Sequence, residues 1–177
     1  MEDKIGMKSE WAIDKFYDPD GKITNFLKNG GSMDEAIEMN RDHYLGKEFI
    51  HNNVGLQEGI REVIDIIIGA GGTTLFGSAQ AYLGVGTSTT GEGSTQTGLI
   101  CPSPVYVAMD STYPQRSLDT AEWRATFGDG VAQFSWQEFT VANGNSNAAK
   151  NLNRKVADKG TKTAGESWTL SLKITFA

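Results

Sequence analysis

Several groups of side chains in this sequence have the types and spacing from which chemistry is built. The first is the glycine-rich stretch Gly84-Val85-Gly86-Thr87-Ser88-Thr89-Thr90-Gly91-Glu92. A phosphate-binding loop follows its last glycine with Lys and then Ser or Thr. Here Glu92 follows Gly91, and its charge would repel a phosphate. A dinucleotide fingerprint needs a helix to open at the glycines, whereas this chain continues as polar loop. The stretch therefore reads as a surface loop between strands. The second group is Glu48 with the only two histidines, His43 and His51. One Glu-x-x-His could supply two ligands of a di-iron centre, but that chemistry needs the pair twice plus two further carboxylates. Both histidines read as packing or surface residues. Asp18 and Asp20 resemble the opening of a calcium loop, yet Gly21 comes too early and no closing Glu follows, so a turn is the better account.

Nucleophilic catalysis has no better footing. Serines and the single Cys101 are present, but the chain after Gly69 contains no histidine to serve as base. No Ser-x-x-Lys pattern points to an alternative. Glu138, between Trp136 and Phe139, is the most interesting carboxylate for glycoside hydrolysis. An acidic side chain set among strand aromatics ordinarily faces solvent or meets an arginine, here Arg124 or Arg154. Trp123, Phe127, Phe134, Trp136, Phe139, Trp168 and Phe176 could form a sugar platform, but their alternating positions favour core packing. No catalytic residue, metal ligand or cofactor site is assigned, and no cofactor is expected.

Composition narrows the function classes further. The 177 residues carry 16 Lys+Arg against 22 Asp+Glu, a net charge of −6, which argues against a partner bound through a phosphate backbone. One cysteine allows no intramolecular disulfide, and no Cys/His cluster has zinc spacing. No run of 18 apolar residues is present to span a membrane, and the N-terminus Met1–Lys15 lacks the apolar stretch of a signal peptide. A soluble, non-secretory globular chain without nucleic-acid or membrane partners is expected. The charge is unevenly placed: residues 1–68 hold 14 acidic and 8 basic side chains, whereas 69–177 hold 8 of each. At Gly69-Ala70-Gly71-Gly72 the composition turns to Gly, Ser and Thr. This predicts a division into an N-terminal arm and helical anchoring segment, 1–68, and a β-sandwich, 69–177.

The elements that must position these residues follow from periodicity. Before Gly69, Ser32 and Glu35 form a capping box that opens a helix over about 33–44. A second helix is predicted over about 47–68, where Leu56, Ile60, Val63, Ile64, Ile67 and Ile68 recur at three and four. After Gly72 the period becomes two. Strands are predicted around 79–85, 105–109, 121–127, 132–141, 152–156 and 168–176, the fourth with a phase slip that suggests a bulge. The fold class is mainly β: an antiparallel, jelly-roll-like sandwich preceded by an arm and two helical segments.

The arm is the feature that invites function. Trp11, Ile13, Phe16, Tyr17, Phe26 and Leu27 are large and apolar, and the turn Asp18-Pro19-Asp20-Gly21 among them leaves little room for a core of their own. They are predicted to form an anchor buried against a partner.

Most of the chain resembles virion structural proteins of tailed bacteriophages. The resemblance is carried by Ala81-Tyr82-Leu83-Gly84-Val85-Gly86-Thr87-Ser88-Thr89-Thr90, Thr95-Gln96-Thr97-Gly98-Leu99 and Met109-Asp110-Ser111-Thr112-Tyr113-Pro114. It continues through Trp123-Arg124-Ala125-Thr126-Phe127-Gly128, Phe134-Ser135-Trp136-Gln137-Glu138-Phe139 and Leu152-Asn153-Arg154-Lys155-Val156, and the leader ending Leu56-Gln57-Glu58-Gly59-Ile60 is similar too. Their order is specific; each fragment alone is not. The resemblance implies a non-enzymatic particle component, a decoration or cement protein on the head surface, assembled in the host cytoplasm. Its implied partners are the major capsid protein or other virion proteins and further copies of itself, with a trimer favoured. The alternative is a tail or fibre component that binds a host glycan through the β loops.

Overall fold

The computed structural model describes residues 7–176. Among them ten strands form two antiparallel sheets of five. The first sheet has the order β2 (Tyr44–His51), β1 (Met7–Tyr17), β10 (Glu166–Phe176), β7 (Thr120–Phe127), β6 (Gln115–Ser117). The second has the order β3 (Val54–Gly55), β9 (Asn153–Val156), β8 (Glu138–Ala142), β4 (Tyr82–Gly86), β5 (Val105–Ala108). The fold is thus mainly β, as the period-two pattern requires.

The first strand and the last run side by side for eleven residues, with Trp11 opposite Leu172 and Ile13 opposite Leu170. Their inward side chains meet Leu83, Val85, Phe139 and Val141 from the second sheet in one continuous core. Trp11 packs against Phe139, and Trp136 meets the rings of Phe127 and Trp168 edge-on at 4.8 and 4.9 Å. Such aromatic pairs add to the burial of their own area.

This packing corrects the expected arm. Trp11, Ile13, Phe16 and Leu27 are fully buried inside this chain, and β1 is an interior strand of its sheet. A division at residue 69 also gives way, because β1 and β2 complete the sheet whose remaining strands come from residues 115–176. Residues 1–6 of the expected arm lie outside the described residues. The pattern of β1 looked broken because both of its faces are covered. Trp11 and Ile13 point into the core, while Asp14, on the other face, is buried beneath the Tyr44 hydroxyl (2.7 Å) and Lys47 (3.4 Å).

The outer face near Phe16 is roofed by α1 (Lys22–Lys28) and α2 (Met33–Met39), which bury Ile23, Leu27 and Ala36 against it. Gly21 precedes α1 with φ of +70°, which glycine adopts without strain. In place of a cap from that position, the Asp18 carboxylate accepts from the amides of Ile23 (3.0 Å) and Thr24 (2.8 Å). The turn assigned to Asp18 and Asp20 is therefore also a helix start. The predicted capping box opens α2: Ser32 accepts from the Glu35 amide and donates to the Glu35 carboxylate. The helix ends at Met39, earlier than expected, and a 3-10 turn over Arg41–His43 leads into β2.

The second predicted helix is shorter than its periodicity suggests. Residues 44–51 are strand β2, bulged at Gly46 (φ +113°), and only α3 (Gln57–Ile67) is helical. Strand pairing with β1 outweighs local preference there, as tertiary context commonly does. Residues 132–137 likewise run as irregular chain with a single isolated bridge, Ser135 to Thr161, rather than the first half of a long strand, and the fourth predicted strand is only β8.

Candidate functional site

The residues weighed for chemistry are structural fastenings. Glu138 is fully buried, and Arg154 beside it is too. One Glu138 oxygen accepts from the amides of Cys101 (2.9 Å) and Ser88 (3.3 Å). The other accepts from the Ile100 amide (2.9 Å) and from Nε (2.9 Å) and Nη2 (2.7 Å) of Arg154. Burial pushes this carboxyl up, but the Ile100 and Cys101 amides and Arg154 outweigh it and hold the group below the ordinary carboxylate range. Five donors leave no free lone pair aimed at solvent, so Glu138 has no position from which to act as acid or base.

Arg154 then spends its remaining Nη1 on the carbonyls of Thr90 (2.9 Å) and Gly91 (3.3 Å). Glu92, whose charge spoke against a phosphate, accepts from the Val156 amide (2.8 Å) and pairs with Lys155 (3.3 Å). The glycine-rich stretch is thereby strapped to β8 and β9. Gly86 is required because a Cβ there would fall 2.4 Å from the Glu138 carboxylate. A second buried pair, Arg124–Asp110 (2.9 Å), ties the sheet to the carbonyls of Leu27 (3.0 Å) and Gly31 (2.9 Å) at the roof helices.

Glu48 and His51 leave β2 on opposite faces. Glu48 pairs with Lys15 and Lys159, and His51 is exposed beside Glu10. Among the described residues no group of three His, Cys, Asp or Glu side chains could hold a metal ion. No described helix is long and apolar enough to cross a membrane. All four tryptophans are buried, so the β loops offer no tryptophan platform for a sugar.

Of the six anchor residues expected in the arm, only Tyr17 keeps substantial exposure, its ring tilted against that of His43, and Phe26 is half-buried. The exposed apolar surface lies instead on α3. This helix is held to its own protein by polar and backbone contacts. Glu58 accepts from the amides of Gly98 and Asn151, each at 3.1 Å. Glu62 accepts from the Thr74 amide (2.6 Å) and from Asn143 (3.3 Å). Between them Gly59 sits against the chain of β9's approach: a Cβ there would lie 2.3 Å from Cα of Leu152 and 2.4 Å from the Asn151 carbonyl. Only glycine permits that contact.

With its polar side turned inward, α3 presents its isoleucines outward. Ile60 is 43% exposed, Ile64 50%, Ile67 76% and Ile68 70%. Val63 and Ile66 line the adjoining groove, of about 450 Å³, whose far wall holds Trp123 and Ile174. Leu75, Met7 and Phe176, each about half exposed, extend the apolar rim. This reverses the usual orientation of an amphipathic helix, whose apolar stripe faces the core. A contiguous apolar surface of this kind marks an interaction site. The spacing of Ile60, Ile64 and Ile67 is plain in the sequence, but periodicity does not say which side of a helix its own fold will cover. The unbroken Ile66-Ile67-Ile68 next to a glycine stretch was the available signal.

Comparison with protein-family models, curated proteins and solved structures yields no match to this chain.

Proposed function

We propose that this protein is a non-enzymatic structural component of a tailed-bacteriophage virion, a decoration or cement protein on the outside of the head. What carries the reading is the outward apolar face of α3, which requires a protein neighbour to leave water. The sequence resemblance described above supplies the particle to which that neighbour belongs. In this reading α3 takes over the anchoring role that the sequence assigned to the arm. Full burial of an isoleucine contributes about 1.5–3 kcal/mol. The four exposed isoleucines thus supply on the order of 5 kcal/mol per copy before ordering costs. A protein that binds the assembled shell and not its free subunits stabilises the shell by mass action, many small contributions adding over many copies.

The sandwich suits this task. Its loops are fastened by buried pairs, which leaves a compact exterior module. The test is copy number: heads and tails from disrupted particles are separated, and this chain is counted in each by mass spectrometry. Copies in proportion to the shell subunits, confined to the head fraction, are expected. A few copies confined to tails would move the function to adsorption, and absence from purified particles would refute a virion role.

A further inference from the structure

The outward face of α3 has a charge pattern that selects its partner. Arg61 and Asp65 stand one helical turn apart along one flank of the isoleucine stripe, at i and i+4. Among the described residues neither forms an ion pair, and Arg61 donates only to Gln57, at 3.2 Å. A surface that pairs with itself across a two-fold axis must be self-complementary. A two-fold axis crossing α3 at the level of Val63 meets that condition. It sets Arg61 of one copy opposite Asp65 of the other, and the reverse pair forms on the same flank. At 1.5 Å rise per residue, the same axis brings Ile64 beside Ile64 and Ile60 beside Ile67 of the second copy. A parallel two-fold arrangement would instead place the Arg61–Asp65 flanks of the two copies on opposite sides of the seam, where they cannot pair.

The extent of the face fits the same partner. The four isoleucines with Leu75, Met7 and Phe176 leave uncovered about as much surface as four whole large side chains. At ~150 Å² or more each, that is on the order of 600 Å². With Gln57, Arg61 and Asp65 at its border, the patch approaches the ~800 Å² per partner of a standard interface.

We infer that α3 pairs antiparallel with α3 of a second copy, forming a two-fold dimer sealed by reciprocal Arg61–Asp65 ion pairs. This rests on reading α3 as a docking face: in solution a second copy covers it, and binding to the head exchanges that copy for the shell. A two-fold unit replaces the trimer that the resemblance favoured.

Sedimentation equilibrium and light scattering on the purified full chain test it. A dimer is expected for the native sequence, and a monomer of unchanged thermal stability for Ile64→Glu. Arg61→Asp and Asp65→Arg should each weaken dimerisation about tenfold or more, through like charges set opposite one another. The double variant Arg61→Asp/Asp65→Arg restores complementarity and should recover the dimer. A monomer up to several hundred micromolar overturns the inference, as does a dimer indifferent to Ile64→Glu. Failure of the double variant to recover the dimer, with its fold intact, overturns the antiparallel register. Binding of the native chain to purified heads, lost in Ile64→Glu, separates these failures from failure of the docking face itself.

Discussion

Replacing Glu138 by glutamine keeps the shape of the side chain and removes its charge. The carboxylate takes two amide donors on one oxygen and three donors on the other. A carboxamide can offer only one acceptor oxygen. If its NH2 replaces the oxygen facing Arg154, it confronts the Ile100 amide and both guanidinium donors. If it replaces the other, it confronts Cys101 and Ser88. Either orientation leaves buried donors unsatisfied and the fully buried Arg154 without its counter-charge. Breaking a buried pair from one side costs about 3–5 kcal/mol. In a domain of this size each kcal/mol lowers Tm by roughly 2–4 °C, so a fall of about 6–20 °C is expected.

Urea unfolding followed by tryptophan fluorescence measures the change, because all four indoles leave the core on unfolding. The midpoint should fall without a large change in slope. The double variant Glu138→Gln/Arg154→Met should lose less than the two single variants together, because no buried charge then stands alone. The carboxyl of Glu138 is held below its ordinary value in the folded state, so its contribution is complete above the unfolded carboxylate value of about 4.3. It is lost as pH falls through the folded value, and the gap between native and Glu138→Gln proteins should narrow there. A loss under about 1 kcal/mol, or additivity in the double variant, would refute the assignment of this pair as the fastening of the 87–101 loop.

Other expectations are sharp enough to test quickly. Gly59→Ala improves intrinsic helix propensity by about 1 kcal/mol, yet its Cβ meets the Leu152 and Asn151 backbone. Net destabilisation and faster amide exchange throughout α3 are expected, whereas a more stable variant would show that α3 does not rest on that contact. Trp11→Ala should cost about 3–5 kcal/mol, and deletion of residues 1–17 should abolish folding, both read by circular dichroism; a folded deletion product would restore the arm. Cys101 is buried, and burial with nearby Glu138 pushes its thiol up. It should resist alkylation at pH 8 until the protein is unfolded in urea, and rapid labelling of the native protein would contradict its placement.

Much of the second sheet and of the long strand β10 was open to sequence reasoning. Leu170, Leu172 and Ile174 alternate with Ser171 and Lys173, and a strand with one apolar side announces itself. The Ser32–Glu35 box is equally local, because every group it uses lies within four residues. The pairing of Glu138 with an arginine was foreseen as one of two options. Choosing Arg154 over Arg124 required knowing that β8 lies beside β9 and that Arg124 already faces Asp110.

The amino-acid sequence by itself determined the class of the fold, the positions of most strands and the amphipathic character of 57–68. These depend on side-chain type and on spacing over a few residues. The tertiary structure alone decided that Trp11 and Ile13 belong to this chain's own core, because their neighbours Leu170 and Leu172 are about 160 residues away and no local pattern encodes that pairing. It alone decided which side of α3 meets water. Gly59, Glu58 and Glu62 found their partners in Leu152, Asn151 and Thr74, and those contacts turned the isoleucines outward. An apolar stripe drives burial without specifying a partner, since the hydrophobic effect has no direction. Its orientation was set by the directional contacts on the helix's other side.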